Sequence, residues 1–180
     1  GQVRLHQGAT DIGQGANTVI AQIAADAAGL PIEALTLVGP DTALTPDCGK
    51  TSASRQTYVT GKAAEAAGRA LRAELLRRTN LPDCDVIEPV EAGLRVRFGD
   101  QVQVVALSGL AVDDLGYVIR VEETYDPPTT ALDADGQGTP YAVYGYGAQI
   151  AEVEVNLDLG TTRVLHMTAA HDVGRAINPQ

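Results

Sequence analysis

The stretches IGQGANTVIAQ (residues 12–22) and GKTSASRQT (residues 49–57) decide the fold and point to the function. Each places small or hydroxyl-bearing residues immediately before a segment that reads as a helix. The start of a helix leaves four backbone N–H groups without intrahelical partners and carries a partial positive charge. Two such junctions in one compact domain therefore predict a site for an anionic ligand or a ligand with several polar arms.

Outward from these junctions, the hydrophobic pattern predicts two long helices. The first is expected over residues 16–28, with Gly29 as its C-cap and Pro31 preventing continuation. The second is expected over residues 52–78, with a surface of small residues that lets another element approach closely. The fold class is therefore α+β, with two main helices packed on a mixed or antiparallel sheet in one domain spanning residues 1–180.

The remaining segments are expected to be strands, short turns and one long loop. A short helix over residues 108–115 would be capped by Ser108, and residues 126–140, which are rich in proline and glycine, should form an irregular loop. Alternating or apolar runs predict strands at residues 3–7, 35–38, 85–88, 94–98, 102–106, 117–125, 151–155 and 162–167.

Composition excludes several classes of function. The net charge of −10 argues against nucleic acid as a partner, and no apolar run is long enough for a membrane span. Cys48 and Cys84 form no C-x-x-C motif, which argues against an Fe–S or zinc site in this chain and fits a reducing cytoplasm. The three histidines lack the spacing of a ligand set, so no protein metal ligand is expected.

The two junctions each allow a structural and a functional interpretation. Glycines at 13 and 15 suit close passage of the backbone past a ligand, but they equally suit a tight turn, and Thr18 stands where a dinucleotide fingerprint needs a third glycine. Thr51, Ser52 and Ser54 can cap a helix, hold a ligand, or do both. Arg55 could pair with a phosphate as a planar fork.

Four blocks of the sequence resemble one family in the family's own order. They are GATDIGQGANT (8–18), residues 39–57, YGAQIAEVEV (146–155) and AHDVGRAINP (170–179). With these blocks the chain resembles the molybdopterin-binding region in the large subunit of the xanthine dehydrogenase/aldehyde oxidase family. The resemblance favours the ligand interpretation at both junctions.

The resemblance implies a molybdenum-molybdopterin cofactor, with or without a nucleotide, whose dithiolene holds the metal. It also implies that Gln14 lies close to the metal's oxygen ligands. The implied cofactor-binding residues are Gly13, Gln14, Gly15, Thr51, Ser52, Ala53, Ser54, Arg55, Gln56 and Thr57. No catalytic residue is assigned, because the family's base glutamate lies downstream of the motif that ends this sequence.

The resemblance implies that the chain is part of a molybdenum hydroxylase, which inserts oxygen from water into an aldehyde or N-heterocycle. Fe–S clusters and flavin are expected only on other domains or subunits, and the partners are an Fe–S component and the remaining parts of the molybdenum subunit. The sequence begins in mid-strand, so we expect a part of a larger domain that is inactive and self-associating in isolation. The alternative is a non-catalytic fragment that binds a pterin or another anion, or is empty.

Overall fold

The computed structural model describes residues 2–52, 54–80, 82–84, 86–91 and 93–179. The chain divides into two compact units, residues 1–126 and residues 127–180. Both α-helices described belong to the first unit. No described helix is long and apolar enough to cross a membrane.

The first unit opens with a strand, a helix and a second strand parallel to the first. These elements are β1 (Val3–His6), α1 (Ala16–Ala28), a 3-10 turn (Ile32–Ala34) and β2 (Leu35–Val38). Helix α1 has the bounds expected from its sequence and buries Ile20, Ala24 and Ala28 on one face. It ends at Gly29, whose left-handed conformation (φ 69°) lets its N–H donate to the carbonyl of Asp26 at 3.1 Å.

Helix α2 (Ser54–Thr79) packs closely on α1 through its small residues. A Cβ atom built on Gly61 would lie 2.9 Å from Cδ1 of Ile23, and one built on Gly68 would lie 2.6 Å from the carbonyl oxygen of Ala24. Helix α1 is therefore the element that approaches the small-residue surface of α2 closely. Helix α2 begins later than expected, and Ser52 precedes its first turn.

The second sheet of this unit is antiparallel, in the order β3-β4-β5. Its strands are β3 (Val86–Val90), β4 (Gly93–Phe98) and β5 (Gln101–Ala106). As expected, Gly99 and Asp100 form the tight turn between β4 and β5, since Phe98 pairs with Gln101. Ile87 and Val96 bury their side chains in a core shared with Leu75 of α2.

The short helix expected over residues 108–115 and the strand expected over 117–125 are both wrong. The side chain of Asp113 accepts the backbone N–H groups of Leu115 (3.0 Å) and Tyr117 (2.8 Å), so local turns replace the helix. Residues 117–125 lie outside the described sheets. Side-chain contacts hold this segment in place, and the hydroxyl of Tyr125 lies 2.9 Å from that of Tyr58.

The second unit consists of an irregular segment followed by one long hairpin. Residues 127–140 contain neither helix nor strand, as expected. Strands β6 (Tyr146–Asn156) and β7 (Thr161–Asp172) pair antiparallel and extend well beyond the expected bounds. With these elements the α+β class is confirmed, and the strands belong to three small sheets, one parallel and two antiparallel.

The two faces of this hairpin differ in polarity. One face carries Glu152 opposite His166, and Glu154 forms an ion pair with Arg163 at 3.1 Å. The other face carries apolar cross-strand pairs that are about half exposed, namely Ala151 with Met167 and Val153 with Val164. The expected self-association of the isolated chain stays a prediction.

Candidate functional site

The two junctions singled out in the sequence follow the same edge of the parallel sheet. Strands β1 and β2 pair in register from Val3–Leu35 to His6–Val38, so their carboxyl ends lie side by side. The first loop (residues 7–15) leaves β1 and the second loop (residues 39–52) leaves β2. The carboxyl edge of parallel strands is the usual ligand-binding edge of such units.

The two loops are also bonded to each other directly. The backbone N–H of Thr10 donates to the hydroxyl of Thr51 at 3.1 Å. Nearer the strands, Nδ1 of His6 lies 3.1 Å from the carbonyl oxygen of Leu44, and the N–H of Gln7 donates to the carbonyl of Val38 at 3.3 Å. Residues far apart in sequence therefore form one continuous surface.

The helices that follow these loops run in the same direction. Gly61 of α2 faces Ile23 of α1, and later in both helices Gly68 faces Ala27. Further along still, the guanidinium of Arg72 donates to the carbonyl oxygen of Ala28 at 3.3 Å. Both N-termini therefore lie at the same end of the helix pair, where their partial positive charges reinforce each other.

In the first loop, an internal carboxylate already occupies the helix start. The backbone N–H groups of Gly13 (2.9 Å), Gly15 (3.4 Å) and Asn17 (3.3 Å) all donate to the side chain of Asp11. These bonds, the one from Gly13 most strongly, lower the pKa of the Asp11 carboxyl below its ordinary value. The N–H groups that we expected to be free for a ligand therefore have a partner.

Gln14 and its flanking glycines shape the surface of this loop. The side-chain oxygen of Gln14 accepts the N–H of Ile12 at 2.7 Å, and its amide nitrogen donates to the carbonyl of Thr10 at 3.3 Å. Gly13 and Gly15 adopt left-handed conformations, with φ of 104° and 75°, that favour glycine. No atom lies within 4 Å of a Cβ built at either glycine, so a ligand can approach the backbone there.

The second loop is held by two neighbouring side chains at the start of α2. Arg55 donates through one guanidinium nitrogen to the carbonyl oxygens of Cys48 (3.1 Å) and Lys50 (3.2 Å). Gln56 is fully buried and donates to the carbonyl of Lys50 at 3.2 Å and to the hydroxyl of Thr51 at 3.3 Å. The loop is therefore fixed from within the helix.

The second loop carries positive charge that no described carboxylate neutralises. Within the part of the chain that the structure describes, neither Lys50 nor Arg55 forms an ion pair. The nearby carboxylate of Asp47 accepts the N–H of Gly49 at 2.8 Å. This helix start thus combines two cationic side chains with the N-terminus of α2, a combination that suits an anion.

The remaining expected site residues differ in their accessibility. Ser52 and Thr57 are exposed, Thr51 is half-buried, and the carbonyl of Ser52 accepts the N–H of Arg55 at 2.9 Å. Ala53 and the side chain of Ser54 lie outside the described residues. Because both junctions match cofactor-contact blocks and precede helices, we predict that Gln14 and Ser54 approach each other across one cleft. The bonded loops are consistent with this prediction.

Away from the two loops, the described part of the chain holds a shallow cleft lined partly by carboxylates. Among the described residues there is no cluster of three or more His, Cys, Asp or Glu side chains that could hold a metal ion. A shallow cleft at the far end of α1 is lined by Gly29 and Leu30 and by the carboxylates of Asp26 and Glu88. Two carboxylates make that cleft unsuitable for an anion.

Two functional features were missed in the sequence. Asp11 was not singled out as a cap, although an aspartate placed two residues before a glycine commonly accepts that glycine's N–H. The bond between Thr10 and Thr51 joins residues 41 positions apart, and no local signal predicts it.

Known proteins match this chain along nearly its whole length. The model of the molybdopterin cofactor-binding domain family matches residues 1–180. The chain is 31% identical to the 6-hydroxypseudooxynicotine dehydrogenase complex subunit gamma of Paenarthrobacter nicotinovorans, covering 99% of this chain and 22% of that protein. It is 27% identical to the xanthine dehydrogenase of Dictyostelium discoideum, over 99% of this chain and 12% of that protein.

A solved structure also shares the fold. The aldehyde oxidoreductase of Desulfovibrio desulfuricans superposes with a TM-score of 0.70 at 28% identity, covering 99% of this chain and 17% of that one. The chain thus spans between about an eighth and a quarter of the length of the relatives it matches.

Proposed function

The chain belongs to the family of molybdopterin cofactor-binding domains, and we propose that it holds the cofactor on the surface formed by its two joined loops. The observation that carries this proposal is the bond from Thr10 to Thr51, which joins the loops that lead into two parallel helices. In this arrangement the residues of both sequence junctions can face one ligand.

The chemistry of the donor set fits a phosphate-bearing pterin. Lys50, Arg55 and the N-terminus of α2 supply positive charge without a described carboxylate partner, as a phosphate requires. The open backbone at Gly13 and Gly15 supplies room for a flat polar ring system.

The two loops would bind different parts of the cofactor. We assign the phosphate to the second loop and the pterin and metal end to the first loop, beside Gln14. Gln14 is already oriented by two hydrogen bonds to its own loop, so it can present its amide to a ligand with little loss of conformational entropy. When bound, the cofactor supplies oxygen insertion from water and the transfer of electrons.

The activity of the whole protein is a further proposal. We infer hydroxylation of an aldehyde or N-heterocycle, with electrons passing to Fe–S clusters on another domain or subunit. Support comes from the relatives, which include a xanthine dehydrogenase, an aldehyde oxidoreductase and a subunit of a dehydrogenase complex. Turnover of an aldehyde with an artificial acceptor, by this chain together with the remaining parts of the molybdenum subunit and an Fe–S component, would test it.

Cofactor binding is tested on the purified chain. Molybdenum would be measured by mass spectrometry and the pterin by fluorescence after oxidative release, in the wild type, in Arg55→Ala and in Arg69→Ala. Arg69 is the matched control, since it lies on the same helix but is exposed and paired with Glu65 at 2.7 Å. We expect Arg55→Ala alone to lose most of its pterin. Equal pterin content in all three proteins would contradict the assignment of the phosphate to Arg55.

A further inference from the structure

A buried glutamine controls the hydrogen bonding of the second loop. Gln56 is 0% exposed, although it lies in the first turn of α2 beside the surface. Its amide nitrogen faces the carbonyl of Lys50 at 3.2 Å, and its oxygen accepts the hydroxyl of Thr60. A carbonyl oxygen can only accept, so the NH₂ group must be the end that faces the loop.

The same NH₂ group determines what the Thr51 hydroxyl can do. This hydroxyl receives the N–H of Thr10 at 3.1 Å and the amide nitrogen of Gln56 at 3.3 Å. Both neighbours are donors and neither can accept, so both lone pairs of the oxygen are used. Among the described residues the hydroxyl proton of Thr51 has no acceptor.

We propose that Gln56 is a positioning residue that turns the Thr51 hydroxyl outward as a donor to an anionic oxygen of the ligand. Lys50 precedes Thr51 in the loop, and the Arg55 guanidinium donates to the carbonyl of Lys50 at 3.2 Å. Neither cation forms an ion pair with any described carboxylate, so a phosphate oxygen suits the position better than a neutral carbonyl. In the first loop, by contrast, Asp11 already occupies the backbone donors. This inference rests on the proposed function and specifies which loop recognises the phosphate and how.

The sharpest test is to reverse the polarity of Gln56 while Thr51 is left intact. In Gln56→Glu a carboxylate oxygen replaces the NH₂ group, so the hydroxyl proton of Thr51 turns inward to it. Binding of inorganic pyrophosphate would be measured by titration calorimetry. Loss of one hydrogen bond to a charged group should weaken this binding by about tenfold or more in Gln56→Glu and in Thr51→Val. Thr51→Ser retains the hydroxyl and should bind as the wild type does.

A double-mutant cycle separates positioning from general damage. If Gln56 acts through Thr51, then Gln56→Glu combined with Thr51→Val should bind no more weakly than Thr51→Val alone. Helix content at 222 nm shows which variants fold.

The outcomes distinguish this inference from the proposed function. If the wild type carries pterin and binds pyrophosphate but Thr51→Val binds equally well, the inference is overturned and cofactor binding stands. Additive losses in the double variant overturn it as well. If Gln56→Glu does not fold, the comparison of Thr51→Val with Thr51→Ser decides alone. A wild type that binds neither pyrophosphate nor pterin refutes the proposed function, and the inference with it.

Discussion

Replacing Gly68 with alanine would place a Cβ atom 2.6 Å from the carbonyl oxygen of Ala24 and 2.8 Å from Cβ of Ala27. Both distances lie well inside the normal separation of about 3.5–4 Å. The first clash is with backbone, which cannot rotate away, so helices α1 and α2 must separate. Since these helices lead from the two loops, the same change disturbs the junction between Thr10 and Thr51.

The magnitude follows from two opposing effects. Alanine in a helix interior is favoured over glycine by about 1 kcal/mol. Overpacking of a close contact costs about 1–3 kcal/mol. Because two contacts fall under 3 Å and one of them is with backbone, the overpacking cost lies in the upper part of this range, at about 2–3 kcal/mol. We therefore expect Gly68→Ala to lower the free energy of unfolding by about 1–2 kcal/mol, and Tm by about 2–8 °C for a chain of this size.

Gly61→Ala is the matched comparison on the same helix. Its Cβ would meet Cδ1 of Ile23 at 2.9 Å, and this is the far end of a side chain that can change rotamer at a cost of about 1 kcal/mol. The gain in helix propensity offsets that cost, so the stability should stay within about 0.5 kcal/mol of the wild type.

The assay is thermal unfolding followed by circular dichroism at 222 nm, which reports on residues 1–126 because both described α-helices lie there. Pyrophosphate titration would accompany it, and Gly68→Ala should also bind more weakly. A Gly68→Ala protein as stable as Gly61→Ala would refute the packing argument and the inferred coupling between helix spacing and the loops.

Three further predictions concern charged groups. Hydrogen bonds from Arg77, and to a smaller extent from Arg78, lower the pKa of Glu74 from 4.5 to about 2. The stabilisation that the ionised Glu74 gives the folded state is therefore complete above pH 4.5 and is lost as the pH falls towards 2. Urea midpoints should drop across this window less steeply in Glu74→Gln than in the wild type, and equal slopes would count against the assignment. Asp11→Ala should speed amide hydrogen exchange at Gly13, Gly15 and Asn17 by roughly two- to thirtyfold, because the loop loses its cap; unchanged exchange would show that the carboxylate does not hold the loop. Arg72→Leu should lower the free energy of unfolding by about 2 kcal/mol, since its guanidinium donates to Ala28, Asp83 and Cys84. The exposed control Arg69→Leu should cost well under 1 kcal/mol, and similar losses in the two variants would contradict this.

Features with local causes were predictable from the sequence. The bounds of α1 at residues 16–28 follow from apolar spacing and from Gly29, both of which act within a few residues of the helix. The turn at Gly99 and Asp100 and the hairpin after residue 145 follow from alternation beside glycine. The family blocks were recognisable for a similar reason, because each is a short contiguous stretch of sequence.

Other features of the fold depended on tertiary contacts between elements that are distant in sequence. The segment from 108 to 125 has the pattern of a helix and a strand, but Asp113 binds backbone N–H groups locally and side chains of α2 hold the rest. Arg55 and Gln56 are neighbours in sequence, yet one remains partly exposed and the other is fully buried. Successive residues project about 100° apart around a helix, and only packing decides which direction is inward.

The sequence by itself determined the class of fold, the first helix and the two short stretches that lead into the helices, because local spacing and backbone requirements specify them. Tertiary structure decided that β1 and β2 pair in parallel, that α1 and α2 run in the same direction, and that Thr10 bonds to Thr51. It also decided that Asp11 occupies one helix start while the other keeps unneutralised positive charge among the described residues. These features join residues tens of positions apart, and the burial of apolar surface between the elements brings them together.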